Sequence, residues 1–403
     1  MSNRNGVWSL IAQYQAIADQ DWTMAPGAPT GVSATAGDAL ATVSFTAPSF
    51  AGVPGTITGF RVNSSEGETA TGSSSPITVT GLTNDTAHTF TVQAQNAIGF
   101  GKASDASSAV TPAQLQRILY FGGNKDGSQT NTIEYIDPSS TGNTTDFGDL
   151  SSQGNGFGGL GSHTRAVMAK SGSTQYVEFA TTGNTSSFGD LNINNSDMYG
   201  SGSNTRGLFV AGGTRGIDYI TIASAGNGTD FGDIGESSDN AATACSGSTR
   251  TVFGKVGTSL GAGTSNTMEY VTTASTGNAS DFGDLSGGSR RQNLQAASNT
   301  TRGLFAGGFR SYPTTVYYNV IEYITIANTG DTTDFGDLSN SLDAGAFGSG
   351  ATRAVFAGGY TGSARINVLQ YVTIASTGNT TDFGDLSGLF SGHGAASSVH
   401  GGN

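Results

Sequence analysis

The chain has a single cysteine, Cys245, among 403 residues. No disulfide can form within one chain, and a zinc site built from several thiolates is excluded. Positive charge is also scarce: 17 Lys and Arg stand against 30 Asp and Glu, for a net charge of −13. Phosphate binding needs a clustered positive surface, so no nucleic-acid partner is expected. No stretch approaches the ~20 apolar residues of a membrane span, so no membrane insertion is expected. The segment from Met1 to Trp22 lacks the uninterrupted apolar run of a signal peptide, which points to synthesis in the cytoplasm. Charged residues make up only 12% of the chain while aromatics reach 9%, which argues against a disordered chain.

What is abundant is glycine, at 62 residues, together with Ser, Thr and Asn, while proline numbers only 8. This is the composition of a turn-dense β protein that folds by packing alone. A length of 403 residues suggests two or three domains. Three segments follow. Residues 1–25 carry Val7, Leu10, Ile11, Tyr14, Ile17 and Ala18 at helical spacing, bracketed by Trp8 and Trp22. A lone helix of this length is marginal in water and needs a surface to lie on. Trp8, Leu10, Ile11, Tyr14, Ile17 and Trp22 are therefore read as an anchor onto another protein, the alternative being docking on the chain's own next domain.

Residues 26–113 alternate apolar and polar positions in short runs: 31–35, 41–46, 57–63, 77–80, 88–95 and 107–111. The pattern suits a seven-strand sandwich. Its runs A-P-T-G-V, T-V-S-F-T-A-P, I-T-G-F-R-V, P-I-T-V-T-G-L-T and T-F-T-V-Q-A-Q-N-A-I-G resemble a fibronectin type III domain. Where that family usually has a core Trp this chain has Phe45, and where it has a corner Tyr this chain has His88. The resemblance implies a spacer, with His88 capping the corner through a ring nitrogen.

Residues 114–403 repeat one unit six times: T-R-x-x-F-x-G-G, a loop, I-E-Y-I-T-I-A-S-T-G-N-T-T-D-F-G-D-L-S, and a run of small residues. The Arg markers are Arg117, Arg165, Arg206, Arg250, Arg302 and Arg353, and the Phe markers are Phe147, Phe188, Phe231, Phe282, Phe335 and Phe383. Periods of roughly 40–50 residues with several strands each are the signature of propeller blades, so a six-bladed β-propeller is expected. Strand b is the Arg-led run, strand c the E-Y-I-T-I run, strand d the D-F-G-D-L run, and strand a the Ala, Gly and Ser segment between units. The first unit begins at strand b while the last runs on into Gly392–Asn403, so the tail is expected to supply the missing strand a. The Gly-Gly pairs at Gly122, Gly212, Gly307 and Gly358 resemble kelch-type propellers, although two units lack the pair and none has the kelch Trp.

The N-terminal G-V-W-S-L-x-A-Q-Y-Q-A-I-A-D-Q-D-W segment, the fibronectin-like spacer and the T-R-G-L-F-A-G-G and T-D-F-G-D-L repeats together resemble virion appendage proteins of marine tailed phages. The resemblance implies a virion protein, made in the host cytoplasm and released by lysis. Its anchor would meet other virion proteins, and its propeller would project outward as a fibre or adhesin. A purely structural head or tail decoration is the alternative.

The repeated charges follow the period and so belong to the scaffold, with pairs such as Arg302 and an Asp of a D-F-G-D turn expected. Two Asp three residues apart give too few ligands for calcium, and no cofactor or metal is expected. His88, His163, His393 and His400 show no metal-ligand spacing, and no G-x-S-x-G element or phosphate loop is present. No catalytic residue is assigned, and a glycan-processing enzyme is the least favoured reading. The b–c and d–a connections vary between units while the opposite turns do not, and varied loops on a constant scaffold are where recognition sits. Phe309, Tyr312, Tyr317, Tyr318 and Tyr360, with Arg290 and Arg291, form the candidate binding patch: aromatic faces stack on sugar rings and Arg binds the carboxylates of acidic polysaccharide. The same aromatics could instead pack on one another.

Overall fold

The computed structural model describes residues 10–18, 23–235, 243–254, 266–286, 291–311 and 314–400. The described chain is all-β apart from one helix, Leu10–Ala18. It divides into two compact units, Met1–Leu115 and Gln116–Asn403.

The first unit is a sandwich of two antiparallel sheets. Thr30–Ala36, Leu40–Thr46 and Ile77–Thr80 form one, and Gly59–Ser64, Thr69–Gly72, Phe90–Asn96 and Gly99–Phe100 form the other. Strict alternation along Leu40–Thr46 and Phe90–Asn96 buries Ala41, Val43, Phe90, Val92 and Ala94 between the sheets. Phe45 occupies the core and lies 4.8 Å, centroid to centroid, from Phe60. His88 is fully buried, and its Nε2 lies 3.1 Å from the Thr83 carbonyl, tying the corner as expected. Two details differ from the sequence reading. Thr69–Gly72 is a strand that the pattern did not single out. The run 107–111 is not a regular strand: the Phe90 and Val92 N–H groups donate to the hydroxyls of Ser107 and Ser104, so side chains replace part of the ladder. Met24 pairs with Val53, and Asn96 Nδ2 donates to the Met24 carbonyl, so the sandwich begins just before residue 25.

Among the described residues the second unit holds a separate two-stranded hairpin, Phe309–Arg310 with Val316–Tyr317, and six antiparallel sheets that contain strands in the order a–b–c–d. In the second repeat these strands are Gly158–Gly161, Arg165–Lys170, Ser173–Glu178 and Ser186–Asp190. In the first, the tail strand Gly394–Ser397 pairs beside Ile118–Phe121, the position from which strand a was missing. A second link was not foreseen. The b–c hairpin of the first repeat, Asn124–Lys125 with Ser128–Gln129, adds to the outer edge of the sixth sheet at Phe390 and Ser391.

Adjacent sheets are joined by recurring bonds, which vary at the step from the fourth repeat to the fifth, where the Asp284 N–H donates to Asp331 and the Ser286 N–H to the Thr332 hydroxyl. Each marker Arg lies over the Tyr of its own strand c, at 4.3–4.8 Å from guanidinium carbon to ring centroid. It also donates to a backbone carbonyl after strand c of the next repeat: Arg165 to Ile222, Arg302 to Ile374, and Arg353 of the sixth repeat to Pro138 of the first. The expected pairing of Arg302 with a D-F-G-D aspartate is therefore corrected. The planar cation is held between a ring and carbonyls, while the first Asp of these turns, such as Asp146, is exposed.

A second clasp uses the S-T-G-N turn. The N–H of the last Asp in D-F-G-D donates to the turn Asn of the next repeat, as in Asp149 to Asn184 and Asp337 to Asn379, and again from Asp385 of the sixth repeat to Asn143 of the first. A third uses the polar residue before the strand c Tyr. Gln175, Asp218, Glu269 and Gln370 accept the N–H that follows the preceding repeat's strand d, and Glu134 accepts that of Ser387. Along the a strands, Ser246, Ser298, Ser349 and Ser397 link neighbouring sheets through their hydroxyls. There is no room for larger residues beside them: a Cβ on Gly158 would lie 2.6 Å from the Met198 backbone.

Candidate functional site

The expected recognition patch is assembled from two neighbouring repeats. Phe309–Arg310 and Val316–Tyr317 pair as a short hairpin, which stacks the Phe309 and Tyr317 rings at 5.7 Å and 22°. Tyr360 meets Tyr317 edge-on at 5.9 Å and donates its hydroxyl to the Gly362 carbonyl. All three are half-buried against one another rather than splayed into solvent. Tyr318 sits beside Arg291, whose guanidinium carbon is 5.7 Å from the ring centroid. Tyr312 and Arg290 lie outside the described residues.

Arg291 does not serve the role read from the sequence. It forms an ion pair with Glu322, and both side chains are 2% exposed. Glu322 also accepts from the Ser286 hydroxyl. A buried guanidinium already neutralised this way has little to offer an external carboxylate, and removing its partner would leave a costly unpaired charge.

On the N-terminal helix, Leu10, Ile11 and Tyr14 are 82%, 81% and 78% exposed. Trp8 and Trp22 lie outside the described residues, as does the side chain of Ile17.

A feature missed by the sequence reading lies at the beginnings of the a strands. A cavity of about 180 Å³ is lined by residues from all six sheets, among them Asp197, Tyr199, Thr243, Asn293, Gln295, Phe347 and His393. The small strand a residues Gly159, Gly200, Ala244, Ala296 and Ala395 line it as well. Burial raises the Asp197 carboxyl above its ordinary value. Asp343, bonded to the lining residue Asn293 at 2.8 Å, is pushed up by burial to about 6, against the opposing pull of hydrogen bonds from Asn293 and the Ala344 N–H. Burial, with the charges of Asp197 and Asp343, pushes the Tyr199 phenol up as well. His393 is held down at about 4 by burial, so it is neutral near pH 7.

The cavity adjoins the aromatic patch through Asp343, which pairs with Tyr360 and whose charge, after burial, helps raise the Tyr317 phenol. The two form one stretch of polar and aromatic surface, with hydrogen-bond acceptors and neutral donors and no Lys or Arg among the described residues lining the cavity. A signal for it existed in the sequence. Aligning the repeats on their Arg markers sets Tyr199 and Phe347 among Gly, Ala, Thr and Gln at strand a positions, and places Asp197 and Asp343 just before that strand.

No three His, Cys, Asp or Glu side chains gather as a metal-binding set among the described residues. Among the described residues no helix is long and apolar enough to cross a membrane.

Residues 27–110 match the fibronectin type III domain, so the first unit contains such a domain. A comparison of the chain with curated proteins gave no match.

Proposed function

We propose that residues 114–403 form a six-bladed, kelch-like β-propeller and that the protein is a non-enzymatic structural component of a phage virion. In this reading it is a tail- or head-attached fibre or adhesin. The N-terminal segment engages other virion proteins, the fibronectin type III domain is a spacer, and the propeller presents its b–c and d–a loops to a glycan or receptor on the host surface. The virion assignment rests on the resemblance of the repeats and the N-terminal segment to phage appendage proteins.

The propeller reading is supported by the bonds that pass from each repeat to the next and from the sixth to the first, through Arg353 to Pro138, Asp385 to Asn143 and Ser387 to Glu134. The observation that carries the binding reading is where the repeated charges go. Marker Arg residues and strand c acids are occupied in joints between repeats, which leaves the variable loops as the surface free to differ. A single weak glycan contact would gain avidity of roughly 10²–10⁴ from many copies on one particle.

The structural-decoration reading draws support from the mutual packing of Phe309, Tyr317 and Tyr360. Binding of the purified protein to host surface polysaccharide, measured with wild type and with Tyr317→Ala combined with Tyr360→Ala, separates the two. Capture by wild type, weakened at least about fivefold in the double variant at equal melting temperature, is the adhesin outcome, since aromatic contacts contribute about 0.5–1.5 kcal/mol each. Absence of capture by wild type, with labelled protein found at fixed capsid positions, would leave decoration.

A further inference from the structure

The cavity at the starts of the a strands holds polar groups that the protein leaves unanswered. His393 is 5% exposed, its ring packs against Tyr120 and Phe390, and neither ring nitrogen makes a well-aligned hydrogen bond, the one partner in reach being the Ala357 backbone. The Asp197 carboxyl is half-buried and raised by that burial, with no hydrogen bond from a described residue to offset it. Buried polar atoms are almost always satisfied, by protein, water or ligand. An occupant matching this lining must donate to a carboxylate and both donate to and accept from a neutral imidazole, and hydroxyl groups do both.

Size and charge narrow the class further. At about 180 Å³ the space is below the roughly 300–1,000 Å³ of sites for drug-sized ligands, and it suits a single small ring. Tyr199 and Phe347 supply aromatic surface for the apolar face of such a ring, while Asn293 and Gln295 supply amide donors and acceptors. The carboxylates Asp197 and Asp343 repel an anionic ligand, and the buried pairing of Arg291 with Glu322 removes the cation that would have drawn one in.

We propose that this cavity binds one sugar ring carrying no acidic group, the terminal residue of a glycan, held by its hydroxyls to Asp197 and His393. The proposal rests on the glycan-binding reading above and narrows it: neutral or amino sugars are accepted and uronic acids are excluded.

The test uses the full chain and free sugars as probes: glucose, galactose, mannose and glucosamine, with galacturonate as the acidic comparison, followed by saturation-transfer NMR. At least one neutral or amino sugar should bind saturably. Its affinity should fall about tenfold or more in Asp197→Asn, as expected for loss of a hydrogen bond to a charged group, and fall similarly in Ala296→Leu, which fills the cavity. Galacturonate should give no saturable signal. If Ala296→Leu does not fold, Asp197→Asn with an unchanged melting temperature carries the result alone. Failure of every neutral and amino sugar to bind would mean that the cavity holds ordered water only, and would overturn the proposal. Equal binding by wild type and Asp197→Asn would also overturn it, by placing the sugar elsewhere. Polysaccharide capture that survives Asp197→Asn but is lost with Tyr317→Ala and Tyr360→Ala would refute the cavity while leaving the adhesin reading intact. Cavity binding of free sugar without polysaccharide capture would do the reverse.

Discussion

A Cβ on Gly384 would lie 2.5 Å from the carbonyl carbon of Gly142, a backbone atom of the first repeat that cannot swing aside. The same approach recurs at Gly148, Gly232, Gly283 and Gly336, which explains the glycine of D-F-G-D without any appeal to chemistry. Gly142 itself has open space where its Cβ would be. Gly384→Ala should therefore cost about 1–3 kcal/mol, the range for overpacking a close contact, while Gly142→Ala should stay within about 0.5 kcal/mol; urea unfolding of the two variants checks the contrast. Titration gives a second prediction at this scale. His393 falls from its ordinary 6.5 to about 4 in the folded protein, so the unfolded chain binds the extra proton between those values, and stability is lost as pH falls through that window. Asp343 acts with the opposite sign: its folded value of about 6 lies above the unfolded one, so its contribution grows as pH falls from about 6 toward 4. Each group can contribute at most about 1.4 kcal/mol per pH unit. Melting at pH 7.5 and 4.5 should show a smaller drop for His393→Gln than for wild type and a larger one for Asp343→Asn. Identical drops in all three proteins would remove both groups from the account.

Strands were legible in the sequence wherever the determinant was local. The four-strand order, the doubly apolar strand c around Ile321 and Ile324, and the small residues of strand a each follow from periodicity within one repeat. What stayed hidden joins different repeats. Arg302 and the D-F-G-D aspartates alternate along the chain and look like ion pairs, yet the acceptor that Arg302 reaches is the Ile374 carbonyl, 72 residues away, and a backbone oxygen leaves no mark in the sequence. The Asn124–Gln129 hairpin was hidden for the same reason, since its partner strand ends more than 260 residues later. These two links between the first and sixth sheets are unequal. The tail strand forms a four-residue ladder beside the fully buried Ile118, Leu119 and Phe121, whereas the hairpin adds two residue pairs at an outer edge, supported by Lys125 near Glu134. Removing residues 394–403 should destabilise the second unit severely, exposing Ile118–Phe121 to rapid amide exchange. Replacing Asn124–Gln129 by a tight turn should lower the melting temperature by only a few degrees. Equal effects would show that the outer edge matters as much as the inner one.

For the molecule as a whole, the question left by this architecture is what the residues before Met24 do. Met24 is held by Val53 and by Asn96, so the sandwich claims it. The nine-residue helix Leu10–Ala18 is too short to be stable alone in water, and it leaves Leu10, Ile11 and Tyr14 about four-fifths exposed. Exposed side chains such as Leu10, Ile11 and Tyr14 contribute little to stability, so deleting residues 1–22 should leave the melting temperature of the sandwich within about a degree of wild type, in line with the small effects of exposed positions. If the protein is a virion component as proposed, the same deletion should abolish its incorporation, because the exposed Leu10, Ile11 and Tyr14 and both of the chain's tryptophans go with it. The measurement is a complementation assay in which particles assembled with full-length or truncated protein are purified and probed for it. A truncated protein that melts normally and is absent from particles fits the anchor reading. If it melts early, the segment belongs to the sandwich core; if it melts normally and still incorporates, attachment must be sought elsewhere on the chain.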